Sequence, residues 1–309
     1  GVYFEVDSFV PESDPRFTFL EKNFVNWDGK RGARIRTIRL RKQLSQGLLL
    51  PLKDFPEIKG QLCETPEGYI DFSELLNVEK WERALAANLA GMARGNFPSF
   101  IPKTDEERIQ NLPNVLEKYV GESFEETIKI DGSSCTMYYL VPGSKYLPEG
   151  EEFEAGRFSV CSRNLDLKET EGNAFWQVAR EIGIEEKLRI HPISYAIQGE
   201  LVGPTIQKNY EKMGANDFYV YKIFNIDTQE FLTPIARRIF CTLLGLKHVV
   251  VLDKHCVLTD KFKNQSDILA YAEGPGMNPG VKREGVVFKH NGSNFSFKAI
   301  SNSYLLKEE

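Results

Sequence analysis

Residues 127–140 form an extended, largely apolar run that is broken once, at Lys129-Ile130-Asp131-Gly132-Ser133-Ser134. Side chains in a strand alternate between faces, and a glycine weakens a strand interior, so two charges followed by Gly132 mark a strand that ends in a turn. Residues 157–162, 193–201, 218–226, 285–289 and 294–300 also read as strands. Residues 173–188 carry an amphipathic helical pattern, Thr233-Pro234 opens a helix that Gly245 closes, and Ser266 caps a shorter one closed by Gly274. Strands and helices do not alternate regularly, which makes the fold class α+β.

The N-terminal part reads differently. Val2-Tyr3-Phe4-Glu5-Val6 is a short strand ended by Asp7, Ser8 and Pro11. Residues 33–40 alternate basic and apolar side chains with one phase shift. Arg34 and Arg36 share a face, Arg39 and Arg41 share another, and Lys30, Arg31 and Lys42 extend the run. Such a run is either a solvated strand face or a surface that tracks phosphates. Asn77 is placed to cap a helix bearing Val78, Trp81, Leu85, Leu89 and Met92 at helical spacing, ended by Gly95 and Pro98. It reads equally as a connector or as a helix within one domain. The division is then an N-terminal module at 1–76, a helical linker at 77–98 and a second domain at 99–309.

A chain of 309 residues can hold two domains, and 41% hydrophobic with 27% charged residues is the balance of a soluble globular protein. No run approaches the roughly 18 unbroken apolar residues of a membrane helix. Gly1-Val2-Tyr3-Phe4 is too short an apolar run for a signal peptide. Cys63, Cys135, Cys161, Cys241 and Cys256 are scattered and lack CxxC spacing. That argues against a zinc site or disulfide framework and for a reducing, intracellular setting. The net charge of −5 does not point to nucleic acid, so a concentrated basic patch would have to supply any such affinity.

A lysine amine attacks phosphorus only when deprotonated, and its ordinary pKa is near 10.4. Burial and a neighbouring cation or metal lower that value. Asp131 can reach a ribose or help hold a metal, and Gly132 lets backbone approach a nucleotide. Alone, the tetrapeptide says little, since many lysines at strand ends are merely solvated. Further segments follow it in order: Ser162-Arg163-Asn164, Gly199-Glu200-Leu201-Val202-Gly203, Phe218-Tyr219-Val220-Tyr221, Glu284-Gly285-Val286-Val287-Phe288-Lys289 and Phe297-Lys298-Ala299-Ile300. Together they resemble motifs I, Ia, III, IIIa, IV and V of the covalent-lysine nucleotidyltransferases, the ATP- and NAD-dependent ligases and mRNA capping enzymes. Residues 34–40 and 43–51, with 2–9 and 102–111, resemble more narrowly the Deinococcus/Naegleria-type nick-sealing RNA ligases. That resemblance covers nearly the whole chain.

The resemblance implies a C-terminal, ATP-grasp-like adenylyltransferase domain of antiparallel sheets with flanking helices. Ahead of it would stand an OB-type β-barrel module, incomplete at its start. It implies an ATP-dependent RNA ligase, a monomer using Mg²⁺ or Mn²⁺ on RNA 3′-hydroxyl and 5′-phosphate ends, above all at nicks in duplexes. Lys129 would carry AMP; Lys289 and Lys298 would neutralise the α-phosphate. Asp131 and Glu200 would meet ribose or metal, Glu284 a metal, and Asn164 a phosphate or a metal-bound water. Tyr221 would stack on the purine, Arg163 would contact the ribose or a substrate phosphate, and Arg108 would contact nucleotide or a terminal phosphate. Each has a plainer reading as a surface carboxylate, core aromatic, surface ion pair or solvated arginine. One departure stands out: the superfamily often has a second lysine two residues after the one at Lys298, and here that place holds Ile300. The same motifs would serve a DNA ligase, from which only the N-terminal resemblance separates this chain. A capping guanylyltransferase usually adds a C-terminal OB domain, whereas this chain stops just after motif V. A silent nucleic-acid-binding module would be expected to lose some of Lys129, Glu200, Glu284, Lys289 and Lys298, and all are present.

Overall fold

The computed structural model describes residues 1–40, 43–59, 70–81, 91–148 and 153–307. They belong to two compact units, Gly1–Ala86 with Leu305–Glu309, and Ala87–Tyr304.

The first unit holds two small antiparallel sheets. One orders Val2–Glu5, Gln43–Leu50 and Thr37–Leu40; the other orders Val25–Trp27, Lys30–Arg34, Ser8–Pro11 and Glu79–Lys80. The chain bends from one sheet into the other at Asp7, whose φ is +72°. Asp7 lies in the turn that ends the first strand, as expected, whereas Ser8 and Pro11 belong to a second strand, which Pro11 closes opposite Gly32, where a missing N–H is tolerated. The basic run likewise splits at Ile35–Arg36 between two sheets, which accounts for its phase shift. Phe4, Val10, Phe17, Ala33, Ile35, Phe55, Ile58, Leu76 and Val78 fill the core. The helix predicted from Asn77 does not start there. Asn77 is left-handed with φ +51°, and Glu79–Lys80 pairs with Ser8–Pro11 as a strand. Its expected end, around Gly95 and Pro98, contains the strand Ala93–Asn96 instead. Leu85 and Leu89 lie outside the described residues.

The second unit is built on two larger sheets. The five-stranded sheet orders Val251–Val257, Ser123–Lys129, Gly285–His290, Ser296–Ile300 and Glu107–Arg108; only the last pairing is parallel. The seven-stranded sheet is wholly antiparallel. It orders Glu230–Phe231, Asp217–Asn225, Tyr195–Val202, Ser133–Leu140, Arg157–Cys161, Leu165–Leu167 and Ala93–Asn96. Each buries one face under helices. Phe124, Phe288 and Phe297 pack with Leu258, Phe262 and Ile268; Cys135, Met137, Ile197 and Val220 pack with Trp176, Val178, Leu188 and Cys241.

The helices follow their caps. Thr233 Oγ1 accepts from the Ala236 N–H, and Gly245 closes Pro234–Leu244 with φ +60°. The predicted helix at 173–188 is two, Ala174–Glu181 and Ile184–Arg189, divided at Gly183, whose φ of +61° no continuous helix accepts. Asn264, not Ser266, caps Gln265–Ala272, because its side chain accepts from the Asp267 N–H. The pairing of Tyr195–Val202 with Asp217–Asn225 contains one irregularity. Gln198 faces Lys222 and Gly199 faces Val220, leaving Tyr221 as an extra residue, a β-bulge.

Candidate functional site

Lys129 ends a strand of the five-stranded sheet, and Ser133 begins one of the seven-stranded sheet, so Ile130, Asp131 and Gly132 make the whole crossing. A Cβ on Gly132 would stand 2.4 Å from the Leu201 carbonyl oxygen and 2.8 Å from Val202 Cγ1. The adjacent strand alone thus demands glycine there, whatever else approaches. Gly285, opposite Lys129, is held to the same rule by the Ala299 carbonyl.

At this junction Lys129 Nζ donates to Glu284 Oε2 at 2.8 Å. Burial pushes the Lys129 amine down, but the summed pull of Glu284, Glu200 and Asp131 outweighs it and holds the ammonium above its ordinary value. The expectation of a lowered lysine is therefore reversed in the protein alone, because three carboxylates face one amine. Two carboxylates register the same crowding. Burial, then the charges of Glu284 and Asp131, push Glu200 up to about 8 against the pull of Lys129. Glu211 is pushed up to about 7, chiefly by burial.

Among the described residues no group of three or more His, Cys, Asp or Glu side chains converges into a ready-made metal cage. Crowded carboxylates short of a cage suit a hard cation that takes one or two of them and completes its shell with water and substrate oxygens.

Beside this cluster, Tyr221 Oη and Ser134 Oγ share a hydrogen bond of 3.0 Å, and Thr104 Oγ1 lies 3.1 Å from the same Ser134 hydroxyl. Lys289 is buried; its Nζ donates to the Tyr221 carbonyl at 2.5 Å. Burial and Arg237 push its amine well below the ordinary value. Behind it, Lys222 pairs with Glu106 at 2.8 Å, and Ser296 Oγ also donates to Glu106. This buried polar layer ties strands of the two sheets together. Lys298 sits opposite Val287 and beside Arg108 on the parallel strand.

The RNA ligase family profile matches residues 122–300, and a profile described as an OB-fold domain matches residues 1–52. Three solved structures of the Naegleria gruberi RNA ligase are each 43% identical and cover 99% of this chain and 86% of their own. They are a lysine-to-alanine variant with ATP and Mn (TM-score 0.83), a lysine-to-methionine variant with AMP and Mn (0.84) and the ligase with PPi (0.83). This chain belongs to the RNA ligase family. A comparison with curated proteins returned no significant match.

In this ligase Lys129, Asp131, Glu200 and Glu284 come together at one junction, close enough that the carboxylates act on the Lys129 amine and their charges on Glu200. Lys289 does not join them. It faces Glu125, four residues back along the strand from Lys129, or roughly 13 Å at strand rise. Arg163 forms a two-pronged ion pair with Asp105 at 2.8 and 3.0 Å, and Asn164 Oδ1 accepts from Lys103 Nζ. In the N-terminal unit Lys30 pairs with Glu79, Arg31 with Glu12 and Arg34 with Asp7, and the Arg34 guanidinium lies 3.9 Å from the Trp81 ring centre. Arg36 is exposed, Arg39 lies on the Thr37–Leu40 strand, and Arg41 and Lys42 fall outside the described residues. Much of the basic run is thus engaged inside its own unit. Glu211 escaped the sequence reading: it sits in a polar loop with no motif or periodicity to mark it.

Proposed function

We propose that this ligase joins RNA 3′-hydroxyl and 5′-phosphate ends, nicks in duplexes above all, at the expense of ATP and through a lysyl-AMP intermediate. The observation that carries the reading is the Lys129–Glu284 pair at 2.8 Å, set among Glu200 and Asp131 where the two sheets meet. The complexes of the Naegleria gruberi enzyme with ATP and Mn, AMP and Mn, and PPi support it.

In the first step Lys129 Nζ attacks the α-phosphorus. A P–N bond forms, the bond to pyrophosphate breaks, and the amine proton passes away from nitrogen, Glu284 being the nearest acceptor in the free protein. In the second, an RNA 5′-phosphate oxygen displaces Lys129 and takes the AMP. In the third, the 3′-hydroxyl attacks that 5′-phosphorus and AMP leaves. Glu284, Glu200 and Asp131 are the residues that would hold Mg²⁺ or Mn²⁺, which when bound supplies neutralisation of phosphate charge and offsets the carboxylates that keep Lys129 protonated. Lys298, two strands across from Lys129 with Arg108 next to it, is the cation we assign to the α-phosphate. Lys289 acts on the nucleotide through the Tyr221 strand it anchors, and Tyr221 offers its ring to the purine. Arg163 and Asn164 line the approach to the ribose or a substrate phosphate.

The test is intact mass after mixing with ATP and Mg²⁺ or Mn²⁺. The parent should gain one AMP and Lys129→Ala none; an equally labelled Lys129→Ala would refute the assignment. Sealing of nicks with RNA or DNA at the 3′-hydroxyl strand then decides the strand requirement, and faster sealing of all-DNA nicks would reject the RNA reading.

A further inference from the structure

We infer that the loop following the Tyr195–Val202 strand is a clamp on the nucleophile turn, with Glu211 as its positioning residue and Gln207 as its second contact. The inference rests on the lysyl-AMP reading of Lys129.

Glu211 is 1% exposed although it belongs to a polar loop. Its Oε1 accepts the Asp131 backbone N–H at 3.1 Å. Only Ile130 separates Asp131 from Lys129, so the bond fixes the turn that aims the amine. Gln207 Nε2 grips the other side of the same turn, donating to the Gly132 carbonyl and lying 3.3 Å from Ser133 Oγ. A turn of three residues between two sheets is therefore held at Asp131, Gly132 and Ser133 by one loop.

The loop is itself braced. Gln207, Asn209 and Lys212 all have φ between +46° and +53°, a conformation that costs a non-glycine residue about 1 kcal/mol or more and persists only where the surroundings enforce it. Asn209 brackets Met213, donating to its carbonyl at 3.0 Å and accepting its N–H at 2.9 Å. Asn278 Nδ2 donates to the Glu211 carbonyl at 2.8 Å. Met213 packs against the cluster of Ile128, Ile130, Val202 and Val249, whose first two members flank Lys129. Burying a carboxylate is costly unless it is bonded; Glu211 Oε2 is buried without a hydrogen-bond partner among the described residues, and the bonded oxygen, Oε1, is bonded to the nucleophile turn.

In-line attack tolerates little misplacement, and a shift of about 1 Å can cost on the order of a hundredfold in rate. The experiment measures single-turnover AMP labelling across a range of ATP concentrations. Glu211→Ala should label about ten- to a hundredfold more slowly at saturating ATP, with the half-saturating ATP concentration unchanged. Glu211→Gln keeps an acceptor for the Asp131 N–H and should restore the rate to within about threefold of the parent. Glu211→Ala labelling at the parent rate overturns the inference. So does Glu211→Gln as slow as Glu211→Ala, since charge rather than positioning would then be at work. Should Glu211→Ala melt well below the parent, Gln207→Ala, an exposed site, decides: slower labelling at parental Tm supports the clamp and a parental rate overturns it. A parent that takes up no AMP rejects the lysyl-AMP reading instead, so the two failures are told apart.

Discussion

Mild acid should loosen the second unit through one imidazole. Arg237 Nε donates to His248 Nε2 at 2.9 Å, and His248 Nδ1 lies 2.6 Å from the Val249 carbonyl. That arrangement is satisfied only by a neutral ring with its proton on Nδ1; a second proton would face a guanidinium. Burial first, then Arg237, push His248 down to about 3. In the unfolded chain the ring titrates near 6.5. The folded value is depressed, so as pH falls the unfolded state takes up the proton first. Stability is whole above about pH 6.5 and is lost progressively as pH falls toward 3. From pH 7.5 to 5 the unfavourable span is about 1.5 units, or about 2 kcal/mol. Residual solvent access at a partly buried ring trims this to about 1–2 kcal/mol. For a unit of roughly 200 residues that is a Tm lower by about 2–8 °C. Carboxylates also titrate in this window, so the assay compares thermal unfolding of parent and His248→Gln at both pH values. The variant should lose less on acidification than the parent. Equal losses would refute the reasoning.

Further outcomes follow from the same contacts. Glu284→Ala should slow AMP labelling by about a hundredfold or more, because it removes both the partner of Lys129 and a carboxylate suited to a metal; retention of labelling within threefold would count against that role. Gly132→Ala should cost about 1–3 kcal/mol in urea unfolding, since its Cβ would lie 2.4 Å from the Leu201 carbonyl oxygen. Glu125→Ala should cost about 3–5 kcal/mol by the same measurement, because fully buried Glu125 accepts from Arg237 and Arg238, and its loss strands a buried guanidinium. Arg36→Ala should weaken RNA binding and flatten its salt dependence at unchanged Tm, whereas Arg34→Ala should lower Tm as well, being bound to Asp7 and stacked on Trp81.

What could be read from sequence was whatever local chemistry dictates. The cap at Thr233, the left-handed stop at Gly245 and the strand ending at Lys129 were legible because each needs only its neighbours. The four charged residues of the junction were legible because their motif order is linear. The strand Val251–Val257 was missed: His255, Lys254 and Asp253 break its apolar pattern, and its partner lies over a hundred residues away. The same long range hid Glu211 and the Glu125–Arg237–His248 network, whose members meet only after the sheets assemble. Lys129 is the sharpest case. Burial alone predicts a depressed amine, and only the placement of Glu284, Glu200 and Asp131 reverses the sign.

The bulge at Tyr221 carries a cost in register and a gain in aim. A regular ladder would force consecutive side chains to opposite sides, yet here Tyr221 reaches Ser134 while its successor Lys222 reaches Glu106. Shorten the strand by one residue and the pairing with Tyr195–Val202 would heal, at the price of turning one of these two groups into the hydrophobic layer beneath. Any transplant of this segment between ligases must therefore preserve the count of residues, not merely their kinds.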